Sequence, residues 1–375
     1  MLQQPIFQDQ QSKPNRPKKM LWQAAAIFTV ALISLASSCQ PKTDESVYVA
    51  GYVNNPQGKG VATLWRNGRV HARLSDGQYN GMAHHVYIYG KDVYVAGRES
   101  NAQGIFVAML WKNGEPHQRL SDGKRQAVAQ CVYVSGGDVY VAGAETNAQG
   151  CLVATLWKNG ALLHRLANGK YHSEANAVFV SGTDVYVAGI EGNEKGNTVA
   201  TLWKNGQIHR RLGDGESPAN VFSVFAVGDD VYVAGGEIYP VDEDEHNEGT
   251  IPSGAAIVWK NGDAPIRLSD GKHMACANSV FVSGSDVYAA GYEYNQDSFG
   301  LVTLWKNGKV SMRLSDGKQW ASAYSVYVSG NDVYVAGHVY NSKGRPVATL
   351  WKNGVAQPSL SDGEYAGYAH SVFAK

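Results

Sequence analysis

A single tryptophan recurs through this chain at a fixed interval. Trp65, Trp111, Trp157, Trp203, Trp259, Trp305 and Trp351 are 46 residues apart, except for one step of 56. A second series, Val-Tyr-(Val/Ala)-Ala-Gly, begins at Val47, Val93, Val139, Val185, Val231, Val287 and Val333, in register with the first. The ten extra residues therefore fall between Val231 and Trp259, as an insert within Gly236–Gly254. Seven in-register copies of one unit restrict the chain to a repeat architecture, in which each unit buries its apolar face against the next.

One unit contains four short strands, here A to D. Ser279–Val282 is strand A, Ser283-Gly284-Ser285-Asp286 a turn, Val287–Gly291 strand B and Val302–Trp305 strand C. Lys306-Asn307-Gly308 then turns into strand D, which ends at Arg313-Leu314. Asn-Gly between apolar runs favours a type I′ hairpin, whose two central residues need positive φ. Alternation and β-branched or aromatic content favour strands, and no segment has helical periodicity. The 42 glycines in 375 residues fit many tight turns.

Four antiparallel strands repeated seven times predict a β-propeller. The ends of the chain support a ring over an open array. The first copy begins at strand B (Val47), and the chain finishes on strand A (Ser371-Val372-Phe373), which completes the first blade. The expectation is an all-β, seven-bladed propeller over 47–375, closed by its C-terminal strand and acting as a monomer. The repeat lacks the Gly-His and Trp-Asp marks of WD40 units, the paired glycines of kelch and the Ser-x-Asp-x-Gly-x-Thr-Trp box of sialidases.

Residues 1–39 look like an address. Lys13, Arg16, Lys18 and Lys19 precede an apolar run from Met20, which ends in small residues before Cys39. A basic region, an apolar region and a small-residue junction describe an export signal. Leu35-Ala36-Ser37-Ser38-Cys39 resembles a relaxed lipobox, with Ala36 where leucine is usual. Gln40-Pro41-Lys42-Thr43-Asp44-Glu45 is similar to the export tags of Bacteroidota surface lipoproteins, and the Trp-Lys-Asn-Gly units resemble those of bacterial propeller lipoproteins. The resemblance implies lipidation at Cys39, a tether over 40–46 and an outer-membrane, surface-exposed or periplasm-facing location. It implies no activity. The eight residues from Cys39 to Ser46 span at most roughly 25 Å.

The formal charge of zero gives no basic excess of the kind nucleic-acid binders carry. Without residues 1–39 the chain has 29 basic and 32 acidic residues. Cys131, Cys151 and Cys276 have no metal-ligand spacing and are expected as free, buried small residues, with Cys131–Cys151 the one pair near in sequence.

Antiparallel order puts A–B and C–D turns on one face and B–C and D–A loops on the other. The first face is nearly invariant: Arg66, Lys112, Lys158, Lys204, Lys260, Lys306 and Lys352 alternate with Asp92, Asp138, Asp184, Asp230, Asp286 and Asp332. The second varies and is rich in aromatics. One column is Tyr79, Arg125, Tyr171, Ser217, His273, Gln319 and Tyr365, and the next includes His172 and Trp320. A third, nearer the axis, is His84, Gln130, Asn176, Phe222, Asn278, Tyr324 and His370. A fixed scaffold with variable loops suits binding, and aromatic and amide groups suit a glycan or peptide. The candidate ligand contacts are Tyr79, His84, Arg125, Tyr171, His172, His273, Trp320, Tyr324, Tyr365 and His370. A carbohydrate-active enzyme and a passive envelope scaffold are the alternatives. No catalytic residues and no resident cofactor are expected. The insert offers a weak Ca²⁺ site at Asp242, Asp244 and Glu248. Glu99, Glu145, Glu191, Glu237 and Glu293 form a column expected to pair with the strand D arginines Arg73, Arg119, Arg165, Arg211, Arg267 and Arg313.

Overall fold

The computed structural model describes residues 45–239 and 253–375. The lipobox with Cys39, the tether up to residue 44, and Asp242, Asp244 and Glu248 lie outside the described residues. Ser46–Lys375 forms a compact unit. Among the described residues every regular element is a β-strand, and the strands form seven four-stranded sheets.

Blade 2 shows the pattern: β4 (Gly81–Tyr89), β5 (Asp92–Ser100), β6 (Phe106–Lys112) and β7 (Glu115–Arg119) pair in sequence order, all antiparallel. Blades 3 to 7 repeat it over 127–165, 173–211, 219–267, 275–313 and 321–356. Blade 1 is assembled from both ends of the chain: β28 (Gly367–Ala374) lies beside β1 (Val47–Asn54), followed by β2 (Gly60–Arg66) and β3 (Arg69–Arg73). Val47 pairs with Ala374, and Ser46 and Lys375 exchange backbone hydrogen bonds of 2.7 and 3.0 Å. The chain is therefore an all-β, seven-bladed propeller closed by its C-terminal strand.

Each tryptophan cements its blade to the preceding one. Trp111 packs in a core with Tyr48, Ala50 and Leu64 of blade 1, and Trp65 packs with Tyr334, Ala336 and Leu350 of blade 7. All seven indoles are fully buried. The Trp65 Nε1 donates to the Leu360 carbonyl at 2.8 Å, so a polar bond joins the apolar seam at the ring closure.

The turns follow sequence chemistry. In every C–D turn Asn and Gly both have positive φ, 50–56° and 74–88°, as a type I′ turn requires. The Asn Oδ1 accepts the first strand B amide, as in Val93 N to Asn113 at 2.8 Å, which ties the C–D turn to the A–B turn. On the opposite face the B–C loop Asn reaches the D–A loop: Asn101 Nδ2 donates to the Gly123 carbonyl at 3.0 Å, and the bond recurs from Asn55, Asn147, Asn193, Asn295 and Asn341. Strand D shrinks to two residues in blades 5 and 7 (Ile266–Arg267 and Val355–Ala356). Pro265 and Pro358 stand beside these stubs, and proline removes a ladder donor.

Candidate functional site

Strand A is the innermost strand of every blade, and in each blade it carries a β-bulge at one position. The register slips at His84, Gln130, Asn176, Phe222, Asn278, Tyr324 and His370. A bulge leaves one residue unpaired and re-aims its side chain; here it points that residue at the axis. The cross-strand partner is the glycine of Val-Tyr-(Val/Ala)-Ala-Gly. A Cβ on Gly143 would lie 1.9 Å from the Val128 carbonyl oxygen, and six blades repeat that clash within 1.9–2.1 Å. This glycine is fixed by a close approach and not by a turn.

Most bulged side chains are partly occupied in holding the ring. Asn176 Nδ2 donates to the Val221 carbonyl at 2.8 Å and Asn278 Nδ2 to the Ala323 carbonyl at 2.7 Å, each in the next blade. His84 Nδ1 meets the Ala129 carbonyl at 3.2 Å, and His370 Nδ1 meets the Ala83 carbonyl at 3.0 Å. A carbonyl only accepts, so both Nδ1 atoms carry the proton and both Nε2 atoms keep a lone pair. The following residue forms a second latch. Ser223, Ser279, Ser325 and Ser371 accept an amide of the next blade at 3.1–3.2 Å. Cys131 fills that position in blade 3, its Sγ 3.8 Å from the Val178 carbonyl.

These strands enclose an axial cavity of about 890 Å³. Toward the invariant face it narrows at a closed ring of seven aromatics, Tyr87, Tyr133, Phe179, Phe225, Phe281, Tyr327 and Phe373, with neighbouring centroids 4.5–5.2 Å apart. Toward the variable face its walls differ. Blades 6, 7 and 1 supply aromatic and imidazole rings: Tyr324 stacks on His338 at 5.5 Å, and His370 lies 5.1 Å from Tyr324 and 5.7 Å from His84. Tyr52, stacked on Tyr368 at 5.0 Å, lies 5.5 Å from His370. Trp320, 42% exposed, stands edge-on to Tyr294 at 5.1 Å. Blades 2 to 5 supply Arg98, Gln130, Glu174, Asn176 and Asn220.

Burial keeps the imidazoles neutral. It lowers the pKa of His84 to about 3, with help from His370 and Arg98, and those of His370 and His338 to about 4. His85, behind this layer, is likewise lowered by burial to about 4. Burial raises the Tyr52, Tyr292, Tyr324 and Tyr368 phenols, so they remain hydrogen-bond donors at neutral pH. The cavity mouth thus presents stacking faces, hydroxyl donors and imidazole acceptors. Its carboxylates among the described residues are Glu174 and Glu237, and Glu237 is held by Arg267 at 3.1 Å. No cluster of three metal-ligating side chains occurs among the described residues.

Of the ten sequence candidates, His84, Trp320, Tyr324 and His370 line the cavity. Tyr79, Arg125, Tyr171, His172, His273 and Tyr365 do not. The D–A connection runs from the outermost strand to the innermost, so its early residues are peripheral and its late ones axial. His172 is exposed, 3.5 Å from Glu174; Tyr171 lies under the Lys170 ammonium at 4.8 Å; Arg125 borders a shallow groove with Glu145 and Arg165; Tyr79 is half-buried, His273 exposed and Tyr365 38% exposed. Two columns that line the cavity in most blades escape the loop-based reading. The residue after the strand B glycine is Tyr52, Arg98, Ala144, Ile190, Gly236, Tyr292 or His338, and its strand A partner is Tyr368, Met82, Val128, Glu174, Asn220, Cys276 or Ser322. Their signal is variability inside otherwise repetitive strands.

The charged columns are structural. Lys112, Lys158, Lys204, Lys260, Lys306 and Lys352 each pair with the aspartate of their own blade at 2.6–2.8 Å, and each lies 5.1–5.5 Å from a tyrosine centroid. These neutralised pairs leave no ring of free cations for an anion. The glutamates Glu145, Glu191, Glu237 and Glu293 pair with Arg165, Arg211, Arg267 and Arg313, while Glu99 has no arginine within ion-pair distance among the described residues. Cys131 and Cys276 are buried and free; Cys151, expected buried, is half-buried in a B–C loop and also free.

No protein-family profile and no curated protein matches the chain. Among solved structures it is similar to a Trypanosoma rangeli sialidase (10% identity, 81% of this chain and 69% of that one, TM-score 0.42). It is also similar to a Bombyx mori GH32 β-fructofuranosidase (10%, 95% and 93%, 0.39) and to the β-propeller domain of the trilobed protease of Pyrococcus furiosus (11%, 75% and 96%, 0.37). At such identities and scores the likeness carries no statement about activity.

Proposed function

We propose that this protein is a binding module of the cell envelope, anchored through Cys39, that holds a glycan at the variable-face mouth of its axial cavity. One observation carries the reading: an aromatic wall faces a polar wall across a cavity of about 890 Å³, within the size range of ligand pockets. Sugar rings offer C–H faces that stack on Trp and Tyr, and hydroxyls that pair with imidazole, amide and phenol groups. Binding is favoured over hydrolysis because glycosidases work with two carboxylates flanking one bond, and Glu237 is already committed to Arg267.

A glycan array probed with residues 46–375, which contain every blade and the ring closure, tests this. Trp320→Ala is expected to weaken binding by tenfold or more with little change in melting temperature, and His273→Ala on the periphery by less than threefold. Glycan binding that ignores Trp320 would move the site elsewhere; turnover of a bound glycan would make the protein an enzyme.

A further inference from the structure

The residue after the strand B glycine lines the cavity in blades 2, 4, 5, 6 and 7, and in one of them it is a cation. Arg98 in β5 stands where other blades place Tyr52, Ala144, Ile190, Gly236, Tyr292 and His338. Its guanidinium is held by apolar groups. Cζ lies 4.3 Å from the Phe106 ring centroid, and the Nη2 contact is the Met82 sulfur at 3.4 Å. Its Nε is buried without a hydrogen-bond partner. Among the described residues no carboxylate lies within ion-pair distance of it, whereas Arg165, Arg211, Arg267 and Arg313 all hold glutamates. Glu174 is close enough to attract it, but does not pair.

A half-buried guanidinium without an anion is an unfavourable arrangement, because its five donors match oxyanion geometry and its buried Nε bonds nothing. The Phe106 ring face attracts the group electrostatically and holds it at the cavity wall. Around it, the Nε2 lone pairs of His84 and His370 suit hydroxyl donors, and Tyr324, 5.1 Å from His370, offers a face for a ring.

We propose that Arg98 is the anchor for an oxyanion carried by the ligand, so that the glycan bound at the cavity mouth is an acidic sugar, bearing a carboxylate or a sulfate ester. This rests on the glycan reading above and adds the charge class. It also accounts for a single cation in this column, since a single anion needs a single anchor.

The array should carry uronate, sialate and sulfated glycans beside neutral ones, probed with the wild-type propeller, Arg98→Gln and Arg98→Lys, each checked by thermal melting. Wild type is expected to bind acidic glycans, with the carboxylate and sulfate arms showing which oxyanion is preferred. The best ligand should lose tenfold or more in affinity when its carboxylate is methyl-esterified or its sulfate removed. Arg98→Gln should bind both forms equally and weakly, and Arg98→Lys should keep part of the preference, having charge without the fork. Trp320→Ala should weaken both forms alike. Equal binding of acid and ester by wild type, or capture of neutral glycans alone, overturns the anion anchor and leaves the glycan reading standing. Capture of no glycan overturns both.

Discussion

The four imidazoles around the cavity couple the stability of this fold to pH on the acid side of neutrality. His84, His85, His338 and His370 are held neutral by burial, with pKa values of about 3, 4, 4 and 4. In the unfolded chain each returns to about 6.5. A folded value below the unfolded one means that the unfolded chain takes up protons first as pH falls. The stability these residues confer is therefore complete above about pH 6.5 and is lost as pH falls from there through about 4, and for His84 through about 3. The same column shows how to separate bond from charge. Asn176 and Asn278 make with an amide the carbonyl bond that His370 makes with its ring. His370→Asn is expected to melt within a few degrees of wild type at pH 7.5, and to lose less stability at pH 4.5. Melting curves at the two pH values decide it; an unchanged acid loss would remove His370 from the account.

The bulged inner strand sets a requirement on the strand beside it. The strand A bulge brings a carbonyl to 1.9–2.1 Å of where a Cβ would stand on its glycine partner. Gly143→Ala is therefore expected to cost more than ~3 kcal/mol, because only a backbone shift in a packed sheet can relieve the contact. Gly104→Ala is the control. Gly104 has φ of 76° with nothing within 4 Å of the added carbon, so the cost there is conformational, at about 1–2 kcal/mol. Urea denaturation of the two variants compares the costs, and equal losses would mean that the strand absorbs the methyl. The bulge also turns seven side chains toward the axis, so the element that makes the glycine obligatory is the one that makes the cavity wall.

At the scale of the molecule, β28 against β1 converts a row of blades into a ring, and the ring creates the cavity. The chain enters it on the invariant face, where Val47 N bonds Asn67 Oδ1 at 2.8 Å. Cys39→Ser is expected to shift the protein from the membrane to the soluble fraction on cell fractionation; retention in the membrane would count against the lipid anchor.

The sequence by itself determined the blade count, the four strands per blade, the type I′ turns, the two faces and the closure. These depend on local chemistry repeated seven times: Asn-Gly at a hairpin, a tryptophan at one register position, and a strand left over at each end. The Arg–Glu pairing was legible in part: in-register columns of opposite charge on strands B and D meet across strand C in blades 3 to 6, while Glu99 does not reach Arg119. The site was legible only in part. His84, Trp320, Tyr324 and His370 were found because they sit in variable loops or at the start of strand A. Tyr79 and Tyr365 share that variability, yet stand on the periphery. Arg98, Glu174 and His338 sit inside regular strands, where alternation alone assigns them to a face and not to a cavity. Only the tertiary structure decided which side chains share the axis. Radial distance from that axis depends on the bulge and on how seven twisted sheets close, and neither is a property of any one repeat.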